Sequence, residues 1–255
     1  MSGKLDGRTI IVTGATKGIG QSTCVALARE GARIVATGRD AEGGKETQRL
    51  VAEAGGECIF VTHDVRHENE WENVFAQTEK RFGAPAGLVN NAGTFFVKPI
   101  AETTEGDFDS IYEINVEGTF LGVKHAFRSF ARSKTRGVIV NVSSLMGQVG
   151  YPNAIAYCAT KGAVTAMTKT AAVEGAAMNP KVRVNSLHPG VIWTPMITGT
   201  FGDDKALSDA FAADTPLRMI GLPQYMADAI CFLISDDAAY VTGAELTADG
   251  GRGAD

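Results

Sequence analysis

The sequence predicts an α/β fold, a single-domain Rossmann-like doubly wound parallel sheet of about seven strands with helices on both faces. Three observations carry that expectation. Short β-branched runs alternate with longer amphipathic or Ala-rich stretches along the whole chain, with no linker, low-complexity segment or internal repeat between them. Such alternation builds βαβ units whose sheet is covered on both sides. The loop Gly14-Ala-Thr-Lys-Gly18-Ile-Gly20 stands directly between the first strand-like run and the first helical stretch. Finally, 255 residues, 44% of them hydrophobic, suffice for one large core.

Thr9–Thr13 reads as the first strand, and a helix follows from about Gly18 to Glu30. Strand, glycine turn and helix N-terminus together form an anion cradle suited to a pyrophosphate, although the spacing is G-x-x-x-G-x-G. The second strand, Ala32–Thr37, ends in Gly38-Arg39-Asp40. In dinucleotide folds an acid at this strand end holds the ribose hydroxyls and repels a 2′-phosphate. Here Gly38 takes the acid's place, Arg39 can fork onto a phosphate, and Lys17 adds a second cation. That points to NADP(H) rather than NAD(H). The alternative leaves Arg39 in solvent and makes Asp40 the ribose acid.

A helix over residues 41–54 and a strand over Glu57–Thr62 follow. Asp64 and Val65 then stand at a strand end, where a polar group can meet an adenine ring or cap a turn. The helix Glu68–Phe82 carries Trp71, Val74 and Phe75 on one side. The strand Gly87–Asn90 ends in Asn91-Ala92-Gly93, small residues that let a ligand approach the backbone. Helices around 104–113 and 116–130 meet at Asn115, an unfavourable residue inside a helix unless it has a task there, and a marker of a kink. The strand 182–187 leads to His188-Pro189-Gly190-Val191-Ile192-Trp193-Thr194-Pro195. Residues 191–216 read as a mobile lid over a substrate. A helix over 224–234 and a strand over 245–248 complete the pattern.

The chemistry centres on Asn141–Gly162. A buried strand, Val138–Val142, ends at Ser143 and Ser144, and a Gly- and Pro-containing loop leads into an Ala-rich helix over 154–178. Tyr157 and Lys161 lie four apart there and share a face. A free phenol has a pKa near ~10, and a neighbouring ammonium lowers it. The phenol can then exchange a proton with a substrate oxygen that a serine holds, which suits carbonyl–alcohol interconversion.

Composition narrows the remaining classes. The net charge is −5 with the two signs interspersed, so there is no basic surface for nucleic acid. No apolar run reaches membrane-spanning length and the N-terminal residues contain no signal-peptide core, so the reading is a soluble cytoplasmic protein without a membrane partner. Cys24, Cys58, Cys158 and Cys231 form no C-x-x-C pair and read as reduced thiols, and Cys158 is turned off the Tyr157 face. The four histidines, His63, His67, His125 and His188, show no ligand spacing, and no metal site is expected.

Taken together, Thr13-Gly14-x-x-x-Gly18-Ile19-Gly20, Asn90-Asn91-Ala92-Gly93, Asn115, Ser144 with Tyr157 thirteen residues on, Lys161, Pro189-Gly190 and Asp249-Gly250-Gly251 resemble the short-chain dehydrogenase/reductase family over essentially the full length. Within it, Thr37-Gly38-Arg39, His188-Pro189-Gly190 and Thr194-Pro195 are most similar to NADP-dependent, R-specific secondary alcohol dehydrogenases. The resemblance implies one dinucleotide-binding and catalytic domain over residues 1–255. It makes Tyr157 the general acid/base, has Ser144 hold the reacting oxygen, and has Lys161 tune Tyr157 and bind the nicotinamide ribose. Asn115 holds a relay water through its backbone.

Gly14, Thr16, Lys17, Gly18, Ile19, Gly20, Arg39, Asp64, Val65, Asn91, Ala92, Gly93, Pro189, Gly190, Ile192 and Thr194 would contact the cofactor. Leu145, Met146, Val149, Tyr151 and Val191 would face a small-molecule alcohol or ketone, and Val191, smaller than the aromatic expected there, would admit larger ketones. The resemblance also implies a homotetramer. Related enzymes carry a structural magnesium near the C-terminus, but the tail Arg252–Asp255 gives no ground for carrying that ion over. The alternatives are an NAD-dependent sugar, steroid or cyclic-diol dehydrogenase on the same fold, or a catalytically idle dinucleotide-binding regulator.

Overall fold

The computed structural model describes residues 3–254; Met1, Ser2 and Asp255, the last of them in the tail where a magnesium was considered, lie outside the described residues. Seven strands, β1 (Thr9–Thr13), β2 (Arg33–Gly38), β3 (Glu57–Thr62), β4 (Gly87–Asn90), β5 (Val138–Val142), β6 (Arg183–Pro189) and β7 (Glu245–Ala248), form one sheet in the order β3-β2-β1-β4-β5-β6-β7. Every pairing is parallel. β1, β4, β5 and β6 are buried at every residue, which explains why they read as unbroken apolar runs rather than alternating ones.

The side chains still alternate between faces. Ile10, Val12 and Ile34 pack with Leu27 of α1 (Gly18–Arg29), Val51 of α2 (Ala41–Glu53) and Ile230 of α9 (Pro223–Ile234). Ile11, Val35, Leu88 and Ile139 pack on the opposite face. Their partners are Trp71 and Phe75 of α3 (Glu68–Phe82), Phe130 of α5 (Gly118–Ser133) and Ala171 of α6 (Ile155–Ala177). Each fully buried Leu or Ile contributes roughly 1.5–3 kcal/mol, so the two half-cores fix the register of the sheet between them.

Strand order runs one way from β1 to β3 and the other way from β4 to β7. The crevice of such a sheet lies at that reversal, beyond the C-terminal ends of β1 and β4. The loops starting at Gly14 and Asn91 are therefore brought side by side.

Two local structures add detail to the sequence reading. α4 (Glu105–Tyr112) and α5 meet around Asn115 through a π-turn, Glu113–Glu117, whose flanking residues keep right-handed helical backbone. The widened turn is stable because the buried Asn115 side chain finds its partners outside the helix; such turns recur at functional sites. Residues 191–216 contain two short helices. These are α7 (Pro195–Phe201), which starts with Pro at its first position, and α8 (Lys205–Ala213), capped by Asp204 accepting from Leu207 N at 2.7 Å.

Candidate active site

The glycine loop has the geometry its spacing implied. Gly14 and Gly18 adopt φ of +61° and +57°, and a Cβ on Gly14 would lie 2.8 Å from the Ala92 Cα. Lys17, the residue before α1, makes no side-chain cap, so the first-turn N–H groups are left for an anion. Asn91 ties the two loops together. Its Nδ2 donates to the Thr13 and Gly14 carbonyls at 2.9 and 3.1 Å, while Thr13 Oγ1 accepts from Asn91 N and Ala92 N. The Asn91 side chain is thus a clamp on the loop, and its backbone lines the cleft.

One cleft runs from this loop past Gly38, Arg39, Asp64 and Val65 to Ser144, Tyr157 and Lys161, and on to Pro189, Gly190, Ile192 and Thr194. At its outer end Arg39 is exposed, with Nη1 3.9 Å from Asp64 Oδ2. Asp64 is held chiefly by Arg66, at 3.0 and 2.7 Å, which pulls its carboxyl down to about 2. Asp40, the alternative ribose acid, caps α2 by accepting from Gly43 N at 3.1 Å. At Gly38 a Cβ would lie 2.8 Å from the Thr16 Cγ2 methyl, so a side chain there would have to displace Thr16. His63, absent from the sequence reading of the cleft, also borders it. Its Nδ1 meets Thr37 Oγ1 at 3.0 Å, and burial pushes it down to about 4, so it is neutral at pH 7.

At the inner end β5 delivers two serines with different surroundings. Ser143 Oγ donates to the Lys161 carbonyl at 2.9 Å and meets Thr165 Oγ1 at 3.1 Å. Ser144 caps the short turn Leu145–Gly147, its Oγ accepting from Met146 N at 3.1 Å, and faces the phenol of Tyr157. The i, i+4 spacing on α6 places Lys161 Nζ 5.6 Å from the Tyr157 ring centre, on the same side of the helix.

The electrostatics overturn one expectation. Burial pushes the Tyr157 phenol up to about 12, against a downward pull from the Ser144 hydroxyl. Lys161 is itself buried and pushed down to about 8, and its Nζ donates to the Val142 carbonyl at 2.9 Å. The chain's own groups therefore do not depress the Tyr157 pKa as the spacing led us to expect, because desolvation acts on both partners of the pair.

Asn115 is fully buried and saturated. Its Nδ2 donates to the Thr94 carbonyl at 3.0 Å and to Thr160 Oγ1 at 3.1 Å, and its Oδ1 accepts from Thr94 N at 2.8 Å. The side chain staples the loop after β4 onto α6. The Asn115 carbonyl accepts from Thr119 Oγ1 at 2.8 Å.

A second cavity opens from the same hydroxyls. Leu145, Met146, Tyr151 and Val191 line it, as expected, together with Ser144 and Tyr157. Val149 does not: it sits 44% exposed on the loop outside, where the short turn has already carried the chain away. Phe95 also lines the cavity and meets Tyr157 edge-on at 4.8 Å, with Phe201 of α7 and Phe211 of α8 continuing the aromatic wall. Arg252 closes the far side, 5.5 Å over the Tyr151 ring and paired with Asp214 at 2.5 Å. Phe95 follows Asn91-Ala92-Gly93 closely enough that its placement was available from the sequence; a lone tail arginine carried no such signal.

Among the described residues, no helix is long and apolar enough to cross a membrane. A family model described as enoyl-(acyl carrier protein) reductase matches residues 14–252. The chain is 39% identical over 253 residues to a cyclopentanol dehydrogenase of Comamonas testosteroni, covering 98% of each chain. It is 37% identical over 252 residues to an NADP-dependent (R)-specific alcohol dehydrogenase of Lentilactobacillus kefiri, again covering 98% of each. The crystal structure of levodione reductase superimposes with a TM-score of 0.92 at 31% identity, covering 98% of this chain and 99% of the other. With the glycine cradle and the Ser144/Tyr157/Lys161 cluster on one continuous cleft, these similarities make the chain a member of the short-chain dehydrogenase/reductase family, an oxidoreductase acting on alcohols and ketones.

Proposed function

We propose that this protein is an NADP(H)-linked dehydrogenase/reductase of secondary alcohols and ketones, with Tyr157 as its general acid in reduction and its general base in oxidation. The observation that carries this reading is the convergence of Ser144 and Tyr157 where the long cleft meets the apolar second cavity. A substrate oxygen in that cavity has a hydroxyl to orient it and a phenol to exchange its proton.

The cleft fits a nicotinamide dinucleotide. The uncapped N-terminus of α1, with Gly14, Thr16, Gly18 and Ile19, would hold the pyrophosphate. Gly20, expected to touch the cofactor, instead packs behind the loop, where a Cβ would lie 2.3 Å from the Gly14 carbonyl oxygen. Arg39 and Lys17 would hold a 2′-phosphate, and Asp64 and Val65 would border the adenine. The backbone of Asn91, Ala92 and Gly93, with Lys161, Pro189, Gly190, Ile192 and Thr194, would frame the nicotinamide half. The dinucleotide supplies or accepts the hydride. Every other operation falls to this chain. Ser144 Oγ positions the substrate oxygen, Tyr157 gives that oxygen a proton in reduction, and Lys161, pushed down to about 8, exchanges protons near neutrality and can resupply it. Asn115, whose carbonyl accepts from Thr119 Oγ1 at 2.8 Å, would hold through its backbone a water that continues the relay.

Cofactor choice is tested at Arg39. Arg39→Ala should weaken NADPH binding by roughly 1.5–3 kcal/mol, the loss of one charged hydrogen-bond partner, and leave NADH binding nearly unchanged. Titration of both reduced dinucleotides reads this out, and an equal loss for the two would contradict the phosphate role. The pH dependence tests the phenol. Oxidation needs the deprotonated phenol and reduction the protonated one, and Tyr157 is pushed up rather than down. Alcohol oxidation should therefore climb as pH rises from about 7 to 9, by up to ~10-fold per unit. Ketone reduction should stay level and fall only at the alkaline end. Oxidation that declines over this range would remove Tyr157 from the role.

A further inference from the structure

His188 takes no part in the chemistry described above, yet it touches the site from behind. It lies in β6, fully buried, and its Nδ1 is 3.0 Å from the Ser144 carbonyl oxygen. That oxygen also accepts from Gly147 N at 2.9 Å. On the other side of the ring, Nε2 is 2.8 Å from Ser186 Oγ. Glu245 Oε2 stands 3.9 Å from Nε2, but Glu245 is engaged by Lys169 at 2.5 Å and Gln148 at 2.8 Å.

These contacts fix the state of the ring. A carbonyl oxygen only accepts, so Nδ1 carries the proton. Burial disfavours the cation, so Nε2 is bare and accepts from the Ser186 hydroxyl. The ring is thus a rigid strut from the sheet to the peptide that carries the Ser144 side chain. Ser144 has extended backbone, φ −167° and ψ 157°, and the turn bond from Gly147 alone leaves the sheet side of that peptide without a tether. A misplacement of about 1 Å at such a site costs ~10²-fold in rate.

Resting on the function proposed above, we propose that His188 is a positioning residue for Ser144: as the neutral Nδ1–H tautomer, set by Ser186, it holds the Ser144 carbonyl and thereby the hydroxyl that orients the substrate oxygen.

The test compares three substitutions in the full-length enzyme. Asn at 188 can present an amide N–H close to where Nδ1–H stands, Gln presents it one bond too far, and Leu presents none. His188→Leu should lower kcat at least ~10-fold, with the dinucleotide Kd, read by fluorescence titration, within about twofold of wild type. His188→Asn should restore kcat to within about threefold, and His188→Gln should not. Wild-type kcat in His188→Leu, or equal impairment of the Asn and Leu variants at matched melting temperatures, would overturn the inference. Should His188→Leu fail to fold, the Asn and Gln variants decide it: a higher kcat in Asn supports the strut, and equality overturns it. A wild-type protein inert toward every alcohol and ketone overturns both readings, whereas an active wild type with an indifferent His188→Leu variant overturns only this one.

Discussion

Tyr157→Phe is expected to lower kcat by ~10²–10⁴-fold while dinucleotide binding survives nearly intact. Phe keeps the ring that meets Phe95 edge-on at 4.8 Å, so the wall between the two cavities stays in place. What is lost is a single hydroxyl, and with it the only phenol among the described residues that borders both the cleft and the second cavity. Ser144 can still orient the substrate oxygen, but its own hydroxyl is a far weaker acid than a phenol and does not replace it. Because the missing interaction belongs to proton transfer, kcat and kcat/KM should fall together. Steady-state kinetics with a dinucleotide titration check this, and near-normal turnover would end Tyr157's part in the mechanism.

Asn115→Leu is expected to be the most damaging structural change near the site. Leu keeps the branched shape but is larger, with two methyl groups in place of the amide oxygen and NH2, and it leaves the Thr94 N–H, the Thr94 carbonyl and the Thr160 hydroxyl without the partners that Asn115 supplies at 2.8, 3.0 and 3.1 Å. The Thr160 hydroxyl still donates to the Tyr157 carbonyl at 2.8 Å, so the loss falls on the two Thr94 groups. At about 1–3 kcal/mol for each group left unsatisfied, a total of ~2–4 kcal/mol follows if the loop relaxes partly toward water. Turnover should fall too, because Thr94 adjoins Gly93 in the cleft wall. Asn115→Asp keeps the acceptor for Thr94 N and loses the two donated bonds, so it should lie between wild type and Leu. Urea midpoints of the three proteins measure the series, and an unshifted midpoint for Asn115→Leu would contradict the assignment.

These two residues also show what the sequence made legible. Tyr157, Lys161 and Ser144 could be placed because helix spacing and a strand end are backbone properties that the residue pattern dictates. The glycine loop was legible for the same reason, since Gly14 and Gly18 are required by backbone shape. The Glu68–Phe82 helix and all seven strands were legible from their patterning and turn signals, and their ends fell at or within two residues of expectation. Ionisation was not legible in this way. The raised Tyr157 and lowered Lys161 values come from desolvation, and no spacing reports how much of a side chain the rest of the fold will cover.

Asn115 was noticed for being out of place in a helix, but its partners, Thr94 and Thr160, are distant in sequence and only the fold unites them. The same holds for Arg252, which reaches the second cavity from near the C-terminal end of the chain. Val149 went the other way: its neighbours face the cavity, and one turn of 3₁₀ geometry sends it outward. The helices of residues 191–216 were hidden by Thr, Gly and Asp content, although Pro195 at one start and Asp204 at the other are ordinary start signals.

The proposed coupling of NADP(H) to a secondary alcohol or ketone through Tyr157 is tested by a panel of ketones and alcohols assayed against NADPH, NADH and their oxidised forms, with wild type and Tyr157→Phe side by side. Wild type should show ketone-dependent oxidation of NADPH and weaker activity with NADH, and Tyr157→Phe should lose both. Turnover that prefers NADH, or that persists in the Phe variant, would contradict that coupling.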